Sequence, residues 1–221
     1  MPGGPEEQPE SAGPGAGARR QYDKRRANRE ARIQAMYPRT ARLRLALGAA
    51  PQHETSWKQG AEGEELVAES LERRCGNLCQ FLHDRRIPDS RANIDHIAIS
   101  PSGVWVIDAK NIKGKIKVQT TRKHGERLFI SGRNRTNLVD GLDRQVGLIR
   151  QAMAEIDPDV PVRGAFCFID TDMPVFRQLS VRGYPLRWRK GMAKLLEHDG
   201  PVLPEHIAWL TRELGARFPA Y

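Results

Sequence analysis

A chain of 221 residues, 39% hydrophobic and 29% charged, is long enough for one domain with a true core plus appendages. No run approaches the roughly 18 consecutive apolar residues that a membrane span needs. The Pro/Gly-rich and then charged first thirty residues lack the apolar core of a secretory signal, so a cytoplasmic protein is expected.

Net charge is +9 and unevenly spread. Residues 19–44 hold ten Lys/Arg, Arg25 and Arg26 among them, against Asp23 and Glu30. With three Glu in residues 1–18, the first 45 residues are +5 and the remaining 176 are +4. Such a basic arm is either a handle for a polyanion, most simply nucleic acid, or a solubilising tail. Three cysteines cannot all pair, and Cys75 and Cys79 have no second Cys/His pair to complete a zinc site, so reduced, partly buried thiols are expected.

In chain order, residues 1–18 have the composition of a disordered leader, and 19–36 suit an exposed or conditional charged helix. The leader therefore runs over residues 1–45, with a linker over 46–56 and the body beginning at Trp57. Residues 60–75 are helical in pattern: Val67, Ala68, Leu71 and Cys75 share one face, and Glu64 falls on it too. A carboxylate there must find a partner or a metal. Gly60 and Gly63 beside it let the backbone approach something closely.

A strand follows over 78–84, then an Arg-rich connection (Arg85, Arg86, Arg91), then apolar runs over 94–100 and 104–112. Pro101-Ser102-Gly103 between those runs predicts a β-hairpin. Weaker strands are expected near 116–120 and 128–131, with a loop over 121–127. A second helix spans 137–156, with a stripe of Leu138, Leu142, Val146, Ile149, Met153 and Ile156 and with Gln145 on the same buried face. A buried strand over 162–170, a strand near 179–186 and helices near 190–198 and 204–218 complete the body, the last 46 residues (176–221) packing on it. The order implies an α/β fold with a mixed central sheet flanked by helices.

The hairpin register is informative. Any symmetric turn around Pro101-Ser102 pairs Ile99 with Val104, so paired numbers sum to 203 and Asp95 stands opposite Asp108. Two carboxylates so placed repel unless something offsets them, and a divalent cation is the natural candidate. Lys110 projects from the same face as both acids, His96 from the other, which makes His96 a poor ligand. Oxygen donors without Cys or His (Asp95, Asp108, Glu64 and the Ala109 carbonyl) favour Mg²⁺ or Mn²⁺. The bland alternative is a surface hairpin with solvated charges.

Gly60-Ala61-Glu62-Gly63-Glu64, Asn93-Ile94-Asp95-His96-Ile97 and the run from Pro101 through Asp108-Ala109-Lys110 to Asn111 together resemble the nuclease-related domain, the NERD domain. That domain is similar to the restriction-endonuclease-like superfamily, whose αβββαβ core carries an Asp…(Asp/Glu)-x-Lys motif. The resemblance covers about residues 57–170, within a domain expected over 57–175, and the Arg-rich leader gives the whole chain the look of the bacterial form. It implies a nuclease with catalytic Asp95, Asp108, Lys110, Glu64 and Gln145. In the second helix the family often has Asn-Pro-x-x-Gln, whereas Gly141-Leu142 stand here, and Gln145 reads either as a site residue or as a cap on a buried backbone group.

The function expected is metal-dependent hydrolysis of nucleic acid, DNA before RNA. Phosphate contacts would come from Arg85, Arg86, Arg91, Arg133, Arg135, Arg144, Arg25 and Arg26. The alternative is a non-catalytic module on the same fold, binding nucleic acid or a protein partner.

Overall fold

The computed structural model describes residues 52–90, 92–174 and 177–220, with scattered positions between 19 and 36; for residues 52–58 only the backbone is described. Arg25, Arg26 and Arg91, the disordered leader expected over 1–18 and most of the linker lie outside the described residues. The described positions from Arg19 to Met36 are helical and, except for half-buried Glu30, exposed. Arg19 forms an ion pair with Glu65.

The body opens with helix α1 (Gln52–Cys75). It starts inside the stretch expected to be a linker, which is helical from Gln52: no Gly or Pro lies between Gln52 and Gly60 to break it. Strands β1 (Gln80–Arg86), β2 (Asn93–Ser100) and β3 (Gly103–Lys110) follow, then β4 (Gly114–Thr121), β5 (Gly125–Ile130) and the short β6 (Arg133–Asn134). Helix α2 (Thr136–Ile156) leads to β7 (Val162–Phe168), β8 (Thr171–Asp172), β9 (Leu179–Val181) and β10 (Tyr184–Trp188). Helices α3 (Arg189–Leu196) and α4 (Pro204–Arg217) close the body.

Two sheets form. The larger has the order β1-β2-β3-β7-β10-β9, antiparallel at both edges and parallel in its middle, where β3 pairs β7 and β7 pairs β10. The order α1–β1–β2–β3–α2–β7 is the expected αβββαβ core. The smaller sheet, β6-β5-β4-β8, is separate rather than part of one central sheet. In it the loop expected over 121–127 shrinks to a tight turn, because β4 runs to Thr121 and β5 starts at Gly125, whose φ is +63°. The strand expected over 179–186 is two, β9 and β10, reversing at Arg182-Gly183, both with positive φ.

Alternation along β2 and β3 divides the core. Ala98, Trp105 and Ile107 pack with Val67, Leu71 and Cys75 of α1 and Met192 of α3. Ile97, Ile99, Val104 and Val106 pack on the other face with Val139, Leu142, Val146 and Ile149 of α2 and Leu210 and Leu214 of α4. The apolar stripe of α2 is as expected except at its ends, where Val139 is buried and Leu138 and Ile156 only partly so. Cys75, Cys79 and Cys167 are free and buried. Among the described residues no helix is long and apolar enough to cross a membrane.

Candidate active site

The two-residue turn Pro101-Ser102 sets the register His96↔Ile107 through Ser100↔Gly103. One step beyond the last pair stand Asp95 and Asp108. Ladder bonding stops there, and the Asp95 carboxylate takes the Ala109 N–H at 3.1 Å. The Lys110 ammonium makes a close ion pair with Asp108, lies 3.7 Å from Asp95 Oδ2 and donates to the Ala109 carbonyl at 3.0 Å. The cation that the opposed acids call for is thus supplied, in this arrangement, by Lys110.

Burial sets the protonation. Asp108 is 7% exposed, and burial pushes its pKa up to about 7, with Asp95 adding to the rise and Lys110 opposing it. Burial works against the Lys110 ammonium as well, yet the Asp108 and Asp95 carboxylates hold its pKa above the lysine range. Glu64 reaches the same site from α1. Burial first, then Asp95 and Asp84, raise its pKa to about 9, and its Oε2 is buried without a hydrogen-bond partner.

A carboxyl shifted this far favours its protonated form at neutral pH. Between about pH 4.5 and 9 the folded chain holds a proton that the unfolded chain releases, so this group's contribution to stability falls as pH rises through that window. In metal-free buffer, Glu64→Gln should flatten the decline of Tm from pH 6 to 9 by about 2–5 °C per pH unit. Parallel melting curves for the two proteins would sink the assignment.

Of the two glycines near Glu64, only Gly63 sits at a close approach: a Cβ there would lie 2.7 Å from Asn111 Cβ and 3.0 Å from Ile169 Cδ1, whereas Gly60 has open space around it. Beside it, Gln59 and Asn111 exchange side-chain-to-backbone hydrogen bonds of 2.9 and 3.0 Å, tying α1 to the end of β3. Gly→Ala inside a helix ordinarily gains up to about 1 kcal/mol. Gly63→Ala should instead lose about 1–2 kcal/mol by chemical denaturation, since overpacking outweighs that gain.

The hydrogen bond described for Gln145 goes to the backbone: its Nε2 donates to the Asn93 carbonyl at 3.1 Å, capping a part-buried group at the start of β2, two residues before Asp95.

Asp84 is a member of the cluster that sequence reasoning missed. It sits between the pairs His83↔His96 and Arg85↔Ile94, hence opposite Asp95, is fully buried, and accepts from Asn93 Nδ2 at 2.6 Å. Its φ of +49° is rare for a non-glycine residue inside a strand and marks local strain. Its signal in the sequence is its alternation with Leu82, which puts an acid on the inward face of β1.

His96 lies on the opposite face, as expected. It is fully buried, with Nδ1 2.8 Å from Nδ1 of His83, whose Nε2 lies 2.9 Å from Glu72 Oε1. One ring donates and the other accepts, and burial holds both pKa values below the usual range.

The expected phosphate-binding arginines are dispersed. Arg85 lies at the end of β1 beside Asp84, half-buried, with its Nε unpartnered; Arg135 is likewise half-buried with an unpartnered Nε. Arg86, Arg133 and Arg144 are exposed.

Asp95, Asp108 and Glu64 offer only hard oxygen donors, and the buried, unpartnered Glu64 Oε2 is an acceptor in need of a cation or a proton. Among the described residues no three or more His, Cys, Asp or Glu side chains converge as a ready-made metal cage. Mg²⁺ does not require one, since it binds through one or two carboxylates plus water and substrate oxygens. The residues fit such an ion on condition that the Lys110 ammonium yields its place.

No curated protein and no solved structure matches the chain significantly. The family model of the nuclease-related domain matches residues 59–169, from within α1 ahead of Glu64, through the hairpin, to the residue after β7. With half its length so matched, the chain belongs to the nuclease-related domain (NERD) family.

Proposed function

We propose that the chain is a divalent-metal-dependent nuclease that hydrolyses phosphodiester bonds of nucleic acid, DNA before RNA. The observation that carries this reading is the convergence of Asp95, Asp108 and Lys110 at the open end of the β2–β3 hairpin. Asp95 and Asp108 would hold Mg²⁺ or Mn²⁺, with Glu64 acting directly or through water. Once bound, the ion would polarise a phosphoryl oxygen and supply a more acidic water. Released from Asp108, Lys110 would orient the attacking water and donate to charge building on the phosphate. Gln145 acts at one remove, by positioning β2.

A second reading has its own support. Lys110 pairs with both acids and offsets part of their repulsion, a partial closure that the chain supplies itself. A non-catalytic module that binds nucleic acid or a protein partner fits that closure. Plasmid, linear duplex and single-stranded substrates incubated with Mg²⁺ or Mn²⁺ decide between the two. Metal-dependent cleavage supports the nuclease; salt-sensitive binding without cleavage supports the module.

A further inference from the structure

The positive charge of the body is concentrated in one place. Residues 113–135 carry eight Lys/Arg against Glu126 alone, a net of +7. With the first 45 residues at +5 and the whole chain at +9, everything else sums to −3. This segment builds β4, β5 and β6 of the smaller sheet. One face of the β4–β5 ribbon is apolar and turned to the core, through Ile116, Val118, Leu128 and Ile130. The other carries Lys115, Lys117 and Arg127, with half-buried Phe129 opposite Lys117. Lys115 and Lys117 are exposed, and so is Lys113 just before the strand. Among the described residues none of the eight cations is in an ion pair.

Same-face residues along a strand repeat every ~6.8 Å. That is inside the Debye length of about 8 Å at physiological salt, so these cations repel one another, with Asp172 of β8, opposite Lys115, as the acid paired across the strands. A surface tuned only for solubility would intersperse both signs. The repeat is also about twice the 3.4 Å rise per phosphate along one strand of a duplex, and a two-stranded ribbon has the width that a major groove admits. Position agrees with this. Lys113 is three residues after Lys110, so the cationic row begins within about 11 Å of the acid cluster.

We propose that the outer face of the β4–β5 ribbon, with Lys113, Lys115, Lys117 and Arg127, docks the phosphate backbone of duplex nucleic acid and presents it to the Asp95/Asp108/Lys110 cluster. This rests on the reading of the chain as a protein that acts on nucleic acid. Contacts of these lysines and the arginine to phosphates supply affinity and register but carry no sequence information.

The test uses the full chain and a fluorescent duplex of about 30 base pairs in EDTA, with affinity measured by anisotropy from 50 to 300 mM salt. The variant K113Q/K115Q/K117Q changes only exposed side chains. It should weaken binding at least about tenfold near 150 mM salt and reduce the slope of log affinity against log salt by about 2–3, at unchanged Tm. The control R73Q/K194Q/R212Q removes the same charge from exposed positions on α1, α3 and α4 and should leave the slope unchanged. Equal losses in the two variants would reduce the effect to net charge and overturn the proposal. A parent that binds no duplex would overturn it too. So would a variant that loses affinity for anionic vesicles while keeping it for duplex. A parent that binds duplex through this face but never cleaves it with Mg²⁺ or Mn²⁺ leaves the docking surface standing and sinks the nuclease reading alone.

Discussion

Asp108→Asn should reduce metal-dependent cleavage about 10³-fold or more, equivalent to about 4 kcal/mol of lost transition-state stabilisation, while duplex binding in EDTA stays within about twofold. The size follows from the carboxylate's place. Asp108 is buried and touches Lys110, so its loss would both remove an oxygen donor for the proposed cation and free the lysine from its orienting partner. Asn keeps the shape, so a fall in rate without a fall in Tm separates chemistry from folding. Asp95→Asn should behave alike, although it also weakens the acceptor for the Ala109 N–H and so loosens the end of β3. Single-turnover rates on a labelled duplex with Mn²⁺ check both. Residual cleavage within tenfold of the parent in either variant would mean that the chemistry, if any, lies elsewhere.

The elements most legible in the sequence were those whose local pattern and burial agree. The hairpin register could be read because Pro101-Ser102 is a two-residue turn, and a symmetric turn makes pairing a matter of counting. The inward face of α1 was legible for the same kind of reason: Val67, Ala68, Leu71 and Cys75 are all buried, and Glu64 is carried to the site one turn earlier. Asp84 escaped because its partner strand is reached through a longer connection over residues 87–92, whose length does not fix a register, and because its positive φ departs from strand geometry. The second sheet escaped as a separate body. Strand periodicity in 114–130 says which face is apolar but not which sheet the strand joins, and only the parallel pairing of β4 with β8 shows that. The charge of the basic arm is legible because it is contiguous, whereas the lysines of β4 alternate with apolar residues and are diluted along the chain. The position of Gln145 on the inward face of α2 is legible, but its hydrogen bond to the Asn93 carbonyl is a tertiary fact that no spacing contains.

Lys110→Met should destabilise the fold by about 3–5 kcal/mol at pH 8, since it leaves Asp108 and Asp95 facing one another with no ammonium between them. The loss should shrink towards pH 5.5. Asp108 has its pKa pushed up to about 7 even with the lysine present, and without it the carboxyl takes a proton more readily still. Asp108→Asn added to Lys110→Met should recover at least about 1.5 kcal/mol of the loss, the non-additivity expected of two groups in direct contact. Urea unfolding of the four proteins of the cycle, in EDTA, gives these numbers. The same proteins then ask whether a metal can take the lysine's place. If Asp95 and Asp108 form a cation site, millimolar Mg²⁺ should raise the Tm of Lys110→Met more than that of the parent, because in the variant no ammonium competes for the oxygens, and it should do nothing for the double variant. Equal Mg²⁺ shifts in all three would place any bound metal away from this pair and leave Lys110 as a purely structural counter-ion.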